Sequence, residues 1–331
     1  EKSFEAGIQS VHEEIEGSCS ILLLTGGGIY AARDRLGRTP VIVGKGPRGY
    51  AATTETCAFA NLEYETVRDL GPGEIAFLTP DGFEQRVAPG TAMQMCSFLW
   101  IYYGYPASSY EGLNVEAARY RCGAALAARD DVEIDYVAGV PDSGTAHALG
   151  YADKARVTYR RPFVKYTPTW PRSFMPQVQS VRDLVARMKL IPIRELTHDQ
   201  RLLFCEDSIV RGTQLRDAMQ RLYDYGAREL HMRPACSPLL YGCKFLNFSR
   251  SGSELDLAAR QVIQEIEGGK VSEPTPYTDC TSDKYAAMVD RIRKRMNLTT
   301  LRYQRLDDMI TAVGLPGEKL CTYCWNGCER A

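Results

Sequence analysis

No apolar stretch of this 331-residue sequence approaches the length of a membrane span. The longest, such as residues 21–25 and 137–140, fall far short of the ~20 residues that a spanning helix needs, so no membrane segment is predicted. Blocks of like charge are missing as well. The formal net charge is -1, and the charged residues, 24% of the chain, are interspersed. That excludes a polybasic membrane patch and a nucleic-acid footprint, leaving small molecules or other subunits as partners. Internal repeats and low-complexity segments are absent. The chain has neither an initiator Met nor a basic-plus-apolar leader; a secretory origin is not expected, and the start of the gene product is allowed to lie upstream of Glu1. Eleven cysteines are too few for a disulfide scaffold at this length, which points to a reducing cytoplasm.

What is present has ordinary globular composition, 44% hydrophobic, and more than one core's worth of length, so two domains are expected. An amphipathic pattern over residues 2–16 predicts an opening helix. Residues 19–90 then read as short strands with tight turns: SILLLTGGGIYAARD, TPVIVG, GYAATTE and GEIAFLTPDGFEQRV. Their Gly, Pro and Asp-Gly punctuation marks antiparallel hairpins. From Asn114 onward, helical patterns such as VEAARYRCGAALAAR alternate with compact apolar runs such as IDYVAGV and RLLFCEDS, as in a mostly parallel α/β sheet. The boundary is placed within residues 89–96, giving domains 1–92 and 93–331. Residues 160–176 contain four prolines and little periodicity, a candidate mobile loop beside a site.

The segment RLLFCEDSIVRGTQLRDAMQRLYDYGA orders an apolar strand, two acids, a small-residue loop and an amphipathic helix. The loop amides of Ser208, Ile209, Val210, Arg211, Gly212 and Thr213, with the helix dipole behind them, form a candidate phosphate pocket. Glu206 and Asp207 at the strand end can bind ribose hydroxyls or a hydrated magnesium ion, which takes hard oxygen ligands. A bare Asp-Ser pair would be an ordinary helix cap. DYVAGVPDSGTAHALGYA again runs strand, turn, helix, and offers the amides of Asp142, Ser143, Gly144 and Thr145. In a parallel sheet both loops fall at the carboxyl ends of strands, where ligands bind. Alone, a PDSG turn is a plain turn.

The string CEDSIVRGT resembles the phosphoribosylpyrophosphate signature of type I phosphoribosyltransferases, and its DSIVRGT part that of the glutamine phosphoribosylpyrophosphate amidotransferase family. CSFLWIYYGYPASSYEGLNVEAARYRCGAALA is similar to that family's CxFEYVYFARPDS segment and the helix after it, and RMKL to its VRxKL. DRLGRTP and TTETCAF resemble the closing strands of an N-terminal-nucleophile glutaminase domain. The resemblance thus covers nearly the whole chain. It implies a type I phosphoribosyltransferase fold with a mostly parallel sheet, preceded by part of an antiparallel α+β glutaminase domain. The implied reaction displaces pyrophosphate from phosphoribosylpyrophosphate by ammonia, giving phosphoribosylamine, the first step of de novo purine synthesis. The PDSG loop would then grip pyrophosphate, with Ser143, Glu206 and Asp207 as magnesium ligands.

Departures from the family pattern are local. Its catalytic loop, close to KNRYVGRTF, is matched by KYTPTWPRSF, which keeps a cation at each end as Lys165 and Arg172, the implied catalytic pair. Glu206 stands where Asp is usual, and CKFLNFSRS replaces an apolar segment. Because such a loop closes over substrate, two rivals are carried: a non-catalytic phosphoribosylpyrophosphate or nucleotide sensor, and a transferase with another acceptor.

Some family members hold a 4Fe-4S cluster on cysteines matched here by Cys96, Cys243, Cys321 and Cys324. A structural zinc on the same thiols and a metal-free set are the alternatives. Cys236 and Cys328 are decoys, and Cys19, Cys57, Cys122 and Cys205 are expected in the core. His231 is expected to be a core or edge histidine, since no nucleophile neighbours it. Residue 1 is Glu, so no glutaminase nucleophile can be carried onto this chain; glutaminase activity is not expected, and free ammonia or a separate glutaminase fragment would supply nitrogen. The apolar face left without the rest of that sheet would be exposed. A homo-oligomer is also expected.

Overall fold

A computed structural model describes residues 3–165, 190–246, 254–269 and 271–329. The chain forms two compact units that interleave along the sequence: Glu1–Ala118, Tyr241–Arg250 and Val313–Ala331 in the first, Arg119–Leu240 and Ser251–Ala312 in the second. These units are a different division from the boundary at 92/93, because residues 93–118 and the cysteine-rich tail belong to the unit that holds the N-terminal strands. Among the described residues, no helix is long and apolar enough to cross a membrane.

The first unit is built on two antiparallel sheets. One has four strands in the order Ile21–Thr25, Gly28–Ala32, Ile75–Leu78, Phe83–Val87. The other has three, ordered Gly49–Thr53, Ile42–Gly46, Glu65–Asp69. Strand alternation sorts their side chains to two faces: Ala31, Val41, Val43, Leu70, Ala76 and Leu78 form one cluster, while Tyr30, Ala32 and Ile75 pack with Ile8. Ile8 lies on the helix Phe4–Glu14, which matches the expected opening helix and is capped by Ser3 accepting from the Ala6 amide at 3.2 Å. Leu22 and Leu24 pair with Ala31 and Ile29 and so share the face of the first cluster. Both lie on the edge strand and are 50% and 77% exposed.

The second unit centres on a parallel sheet ordered Tyr136–Gly139, Arg201–Glu206, Glu229–Pro234, Thr300–Leu301. Leu202, Leu203, Phe204 and Cys205 are all buried without alternation, as a strand covered on both faces requires. Helices Thr145–Ala155 and Thr213–Asp224 follow the first two of these strands, completing the predicted strand, loop and helix order. Cys122 and Cys205 are core residues as expected, whereas Cys19 and Cys57 are only half-buried: Cys19 lies in the loop before Ile21–Thr25, and Cys57 is the first residue of the short helix Cys57–Asn61. His231 is buried with Nδ1 3.0 Å from Thr300 Oγ1. Burial, reinforced by the Arg233 charge, pushes its pKa down to about 4.

Candidate functional site

Two loops stand at the carboxyl ends of the neighbouring strands Tyr136–Gly139 and Arg201–Glu206. Their approach depends on glycine: a Cβ at Gly144 would lie 2.2 Å from the Cys205 carbonyl oxygen. That oxygen accepts from the Val140 amide at 3.0 Å. Gly212, with φ +76°, turns the second loop into the helix that begins at Thr213, a backbone conformation that other residues adopt at a cost. Ile209, within that loop, is buried.

The polar atoms meet between the loops. Ser143 Oγ donates to Glu206 Oε1 at 3.0 Å, and the Asp207 amide donates to the same oxygen at 3.0 Å. Ser208 Oγ donates to Asp207 Oδ1 at 2.6 Å. Burial pushes the Glu206 carboxyl well above the ordinary range, and the adjacent Asp207 adds to that. Two buried carboxyl groups side by side call for a cation. Among the described residues, no acceptor engages the amides of Ser208, Ile209, Val210, Arg211, Gly212 or Thr213, which leaves the predicted phosphate cradle open. In the other loop only the Asp142 and Ser143 amides are open; Gly144 and Thr145 donate to Val140 and Asp142 carbonyls at 2.9 and 3.1 Å.

Lys165 closes the strand Phe163–Lys165 and reaches the first loop, with Nζ 2.6 Å from Asp142 Oδ2. Both side chains are substantially exposed, so the pair contributes little stability, at most about 1 kcal/mol. Arg172 and residues 166–176 of the expected mobile loop lie outside the described residues. Sequence reasoning missed Asp256, whose carboxylate is 3.4 Å from Arg211 Nη2. It also missed the hydroxyl bridge from Ser143 to Glu206. Neither contact has a local pattern, since each joins residues far apart in the chain.

The four singled-out cysteines converge in the first unit. Met95–Cys96 pairs in parallel with Leu320–Cys321, setting Cys96 beside Cys321. Cys243 and Cys324 are hydrogen-bonded to each other, and the Leu246 amide donates to Cys243 Sγ at 3.3 Å. The Cys324 hydrogen bond, with help from the Leu246 and Phe245 amides and Arg38, brings Cys243 down to about 6 against the opposing effect of burial. Burial pushes Cys96 up, as do the neighbouring Cys321 and Cys243. The indole Nε1 of buried Trp325, next in sequence to Cys324, has no hydrogen-bond partner among the described residues. Among those residues no group of three or more His, Cys, Asp or Glu side chains could hold a single metal ion. A cubane differs from a single ion in placing each thiolate on a different iron.

Adjacent parallel strands that each end in an anion-receptive loop and a helix define the type I phosphoribosyltransferase class of α/β fold. Solved structures agree. Glutamine phosphoribosylpyrophosphate amidotransferase from B. subtilis, complexed with ADP and GMP, superposes with a TM-score of 0.81 at 25% identity, covering 98% of this chain and 67% of that one. A structure described as the allosteric regulatory enzyme of purine biosynthesis gives 0.82 at 26% identity, covering 98% and 65%. No family model matches the chain. Among curated proteins, amidophosphoribosyltransferase of Archaeoglobus fulgidus is 35% identical over 260 residues, 78% of this chain and 56% of its own length. That of Mycobacterium bovis is 32% identical over 314 residues, 95% of this chain and 55% of its own. The chain belongs to the amidophosphoribosyltransferase family, and it spans about half the length of these curated relatives.

Proposed function

We propose that the chain is the phosphoribosyltransferase portion of an amidophosphoribosyltransferase. Ammonia displaces pyrophosphate from C1 of phosphoribosylpyrophosphate, yielding 5-phosphoribosylamine, the first step of de novo purine synthesis. The observation that carries this reading is the bridge from Ser143 to Glu206, which joins two amide-bearing loops into one site. The amides of residues 208–213 hold the 5-phosphate, and those of Asp142 and Ser143 hold the departing pyrophosphate. Ser143, Glu206 and Asp207 would hold magnesium, whose charge offsets that of the pyrophosphate. Lys165 and Arg172 supply further positive charge. Such a reaction needs little proton transfer; positioning and electrostatics at an oxocarbenium-like centre carry it.

Pyrophosphate release by residues 1–331 is expected to require ammonia and to rise with pH as ammonium is converted to ammonia. Binding of phosphoribosylpyrophosphate without turnover at any ammonia concentration would sink this reading and leave the sensor in its place. Release that follows a different nucleophile would make the chain a transferase with another acceptor. The nitrogen source in the whole enzyme is proposed to be glutamine, through a glutaminase portion, and the assembly a homo-oligomer.

We assign Cys96, Cys243, Cys321 and Cys324 to a 4Fe-4S cluster that ties the tail to the N-terminal sheets. What supports this reading is the chemistry of the donors: Cys96 lies beside Cys321 in paired strands and Cys243 is hydrogen-bonded to Cys324, four thiols drawn from three separate segments. Anaerobically purified protein is expected to be brown and to carry about four irons per chain. Stoichiometric zinc without iron would reassign the site to a structural zinc.

A further inference from the structure

Arg38 touches all three segments that carry Cys96, Cys243, Cys321 and Cys324. Its carbonyl accepts from the Cys96 amide at 3.0 Å, and its Nη1 donates to Cys321 Sγ at 3.1 Å. Its guanidinium lies 3.6 Å from the ring centroid of Phe245, two residues beyond Cys243. The turn that presents it is fixed by Asp34, which accepts from the Arg38 and Thr39 amides at 3.0 and 3.1 Å and from Ser18 Oγ at 2.9 Å. Arg38 is only 5% exposed, yet among the described residues no carboxylate lies within 4.0 Å of its charged head. A buried guanidinium stays protonated and needs a compensating anion. Among the described residues, the group beside it that can take on negative charge, on binding metal, is the Cys321 sulfur.

We propose that Arg38 is the positioning residue and counter-charge of the cysteine centre, donating to the sulfur of Cys321 when that sulfur holds metal. This rests on the reading of the four thiols as a metal centre and adds to it a residue that binds no metal itself. An N–H···S hydrogen bond and a fixed positive charge both stabilise the more negative, reduced form of an iron–sulfur group, so they raise its reduction potential. Removing them lowers it. A purely structural arginine would leave the potential unchanged.

The test compares the parent chain with Arg38→Met, which keeps the stem packed on Phe245, and Arg38→Lys, which keeps the charge without the planar fork. Each is prepared anaerobically and read by iron content, spectroelectrochemical midpoint potential and cluster half-life in air. Arg38→Met is expected to move the midpoint to a more negative potential and to shorten the half-life severalfold, with Arg38→Lys between it and the parent. Equal midpoints and half-lives in all three proteins would overturn the proposal. Should Arg38→Met fail to fold, the Arg38→Lys midpoint decides alone. A parent chain without iron would remove the cluster reading, and cobalt(II) titration of the reduced proteins then decides on Arg38. A loss of affinity in Arg38→Met of about tenfold or more, the usual effect of removing a partner of a metal ligand, supports it. Unchanged affinity, or a parent that binds neither metal, overturns it.

Discussion

Asp130→Ala is expected to cost the parallel-sheet unit about 3–5 kcal/mol, the range seen when one member of a buried ion pair is removed. Asp130 and Arg233 have side chains 2% and 1% exposed. The carboxylate accepts from Arg233 Nε and, at 3.0 Å, from its Nη2. It also accepts from Tyr151 Oη at 2.8 Å and Arg302 Nη1 at 3.0 Å. Without it, the Arg233 charge stays buried, with the Met232 carbonyl and Thr300 Oγ1 as its remaining acceptors among the described residues, at 2.9 and 3.0 Å. Denaturant unfolding measures the loss, and a change below about 1 kcal/mol would show that the pair is more solvated than its burial implies. Removing both members by Asp130→Leu with Arg233→Met is expected to be milder than the single change, since no charge is then stranded.

The same pair sets an acid limit. Burial is the largest influence on Asp130 and opposes its ionisation. The hydrogen bond and charge of Arg233, aided by Tyr151 and Arg302, outweigh that and hold the carboxyl below its ordinary value. A carboxyl depressed in the folded state stabilises fully above the unfolded value of about 3.9 and loses that contribution as pH falls through the folded one. The gap between parent and Asp130→Ala should therefore be constant near neutrality and narrow below about pH 4.

Asp207→Ala is expected to weaken binding of magnesium-phosphoribosylpyrophosphate by about 30-fold or more, on the order of 2 kcal/mol for a lost charge-assisted contact. Asp207 is buried at the mouth of the second loop, orients Ser208 through the 2.6 Å hydrogen bond, and adjoins Glu206. The substitution removes one of the two carboxyl groups proposed to face the magnesium. Calorimetry reads the effect directly, and an unchanged dissociation constant would remove Asp207 from the site.

The two strand, loop and helix units were legible because each carries its signal locally: an unbroken apolar run, a turn of small residues, then helical periodicity. Residues 201–224 could be laid out from the sequence in that way almost element by element. The cysteine set came from resemblance, since the spacing of Cys96 and Cys243 from the tail carries no periodic signal. Arg38 on Cys321, Ser143 on Glu206 and Arg233 on Asp130 were not legible. Each is a contact between distant segments, formed only when sheet registers and helix packing are in place. The interleaved units were hidden for the same reason: nothing local in residues 241–250 or 313–331 says that they return to the first sheets.

That return bears on how the chain is made. Met95–Cys96 cannot pair with Leu320–Cys321 until a ribosome has delivered the more than 220 residues between them, whereas most of the parallel-sheet unit is complete earlier. Closing so long a connection in an unfolded chain costs about 5 kcal/mol of chain entropy by the logarithmic loop law. Prior folding of the intervening unit shortens the effective loop before the tail must find its partner. The first unit is thus begun first and finished last. Its early strands, with Leu22 and Leu24 at an open edge, spend that interval as the segment most vulnerable to unwanted pairing.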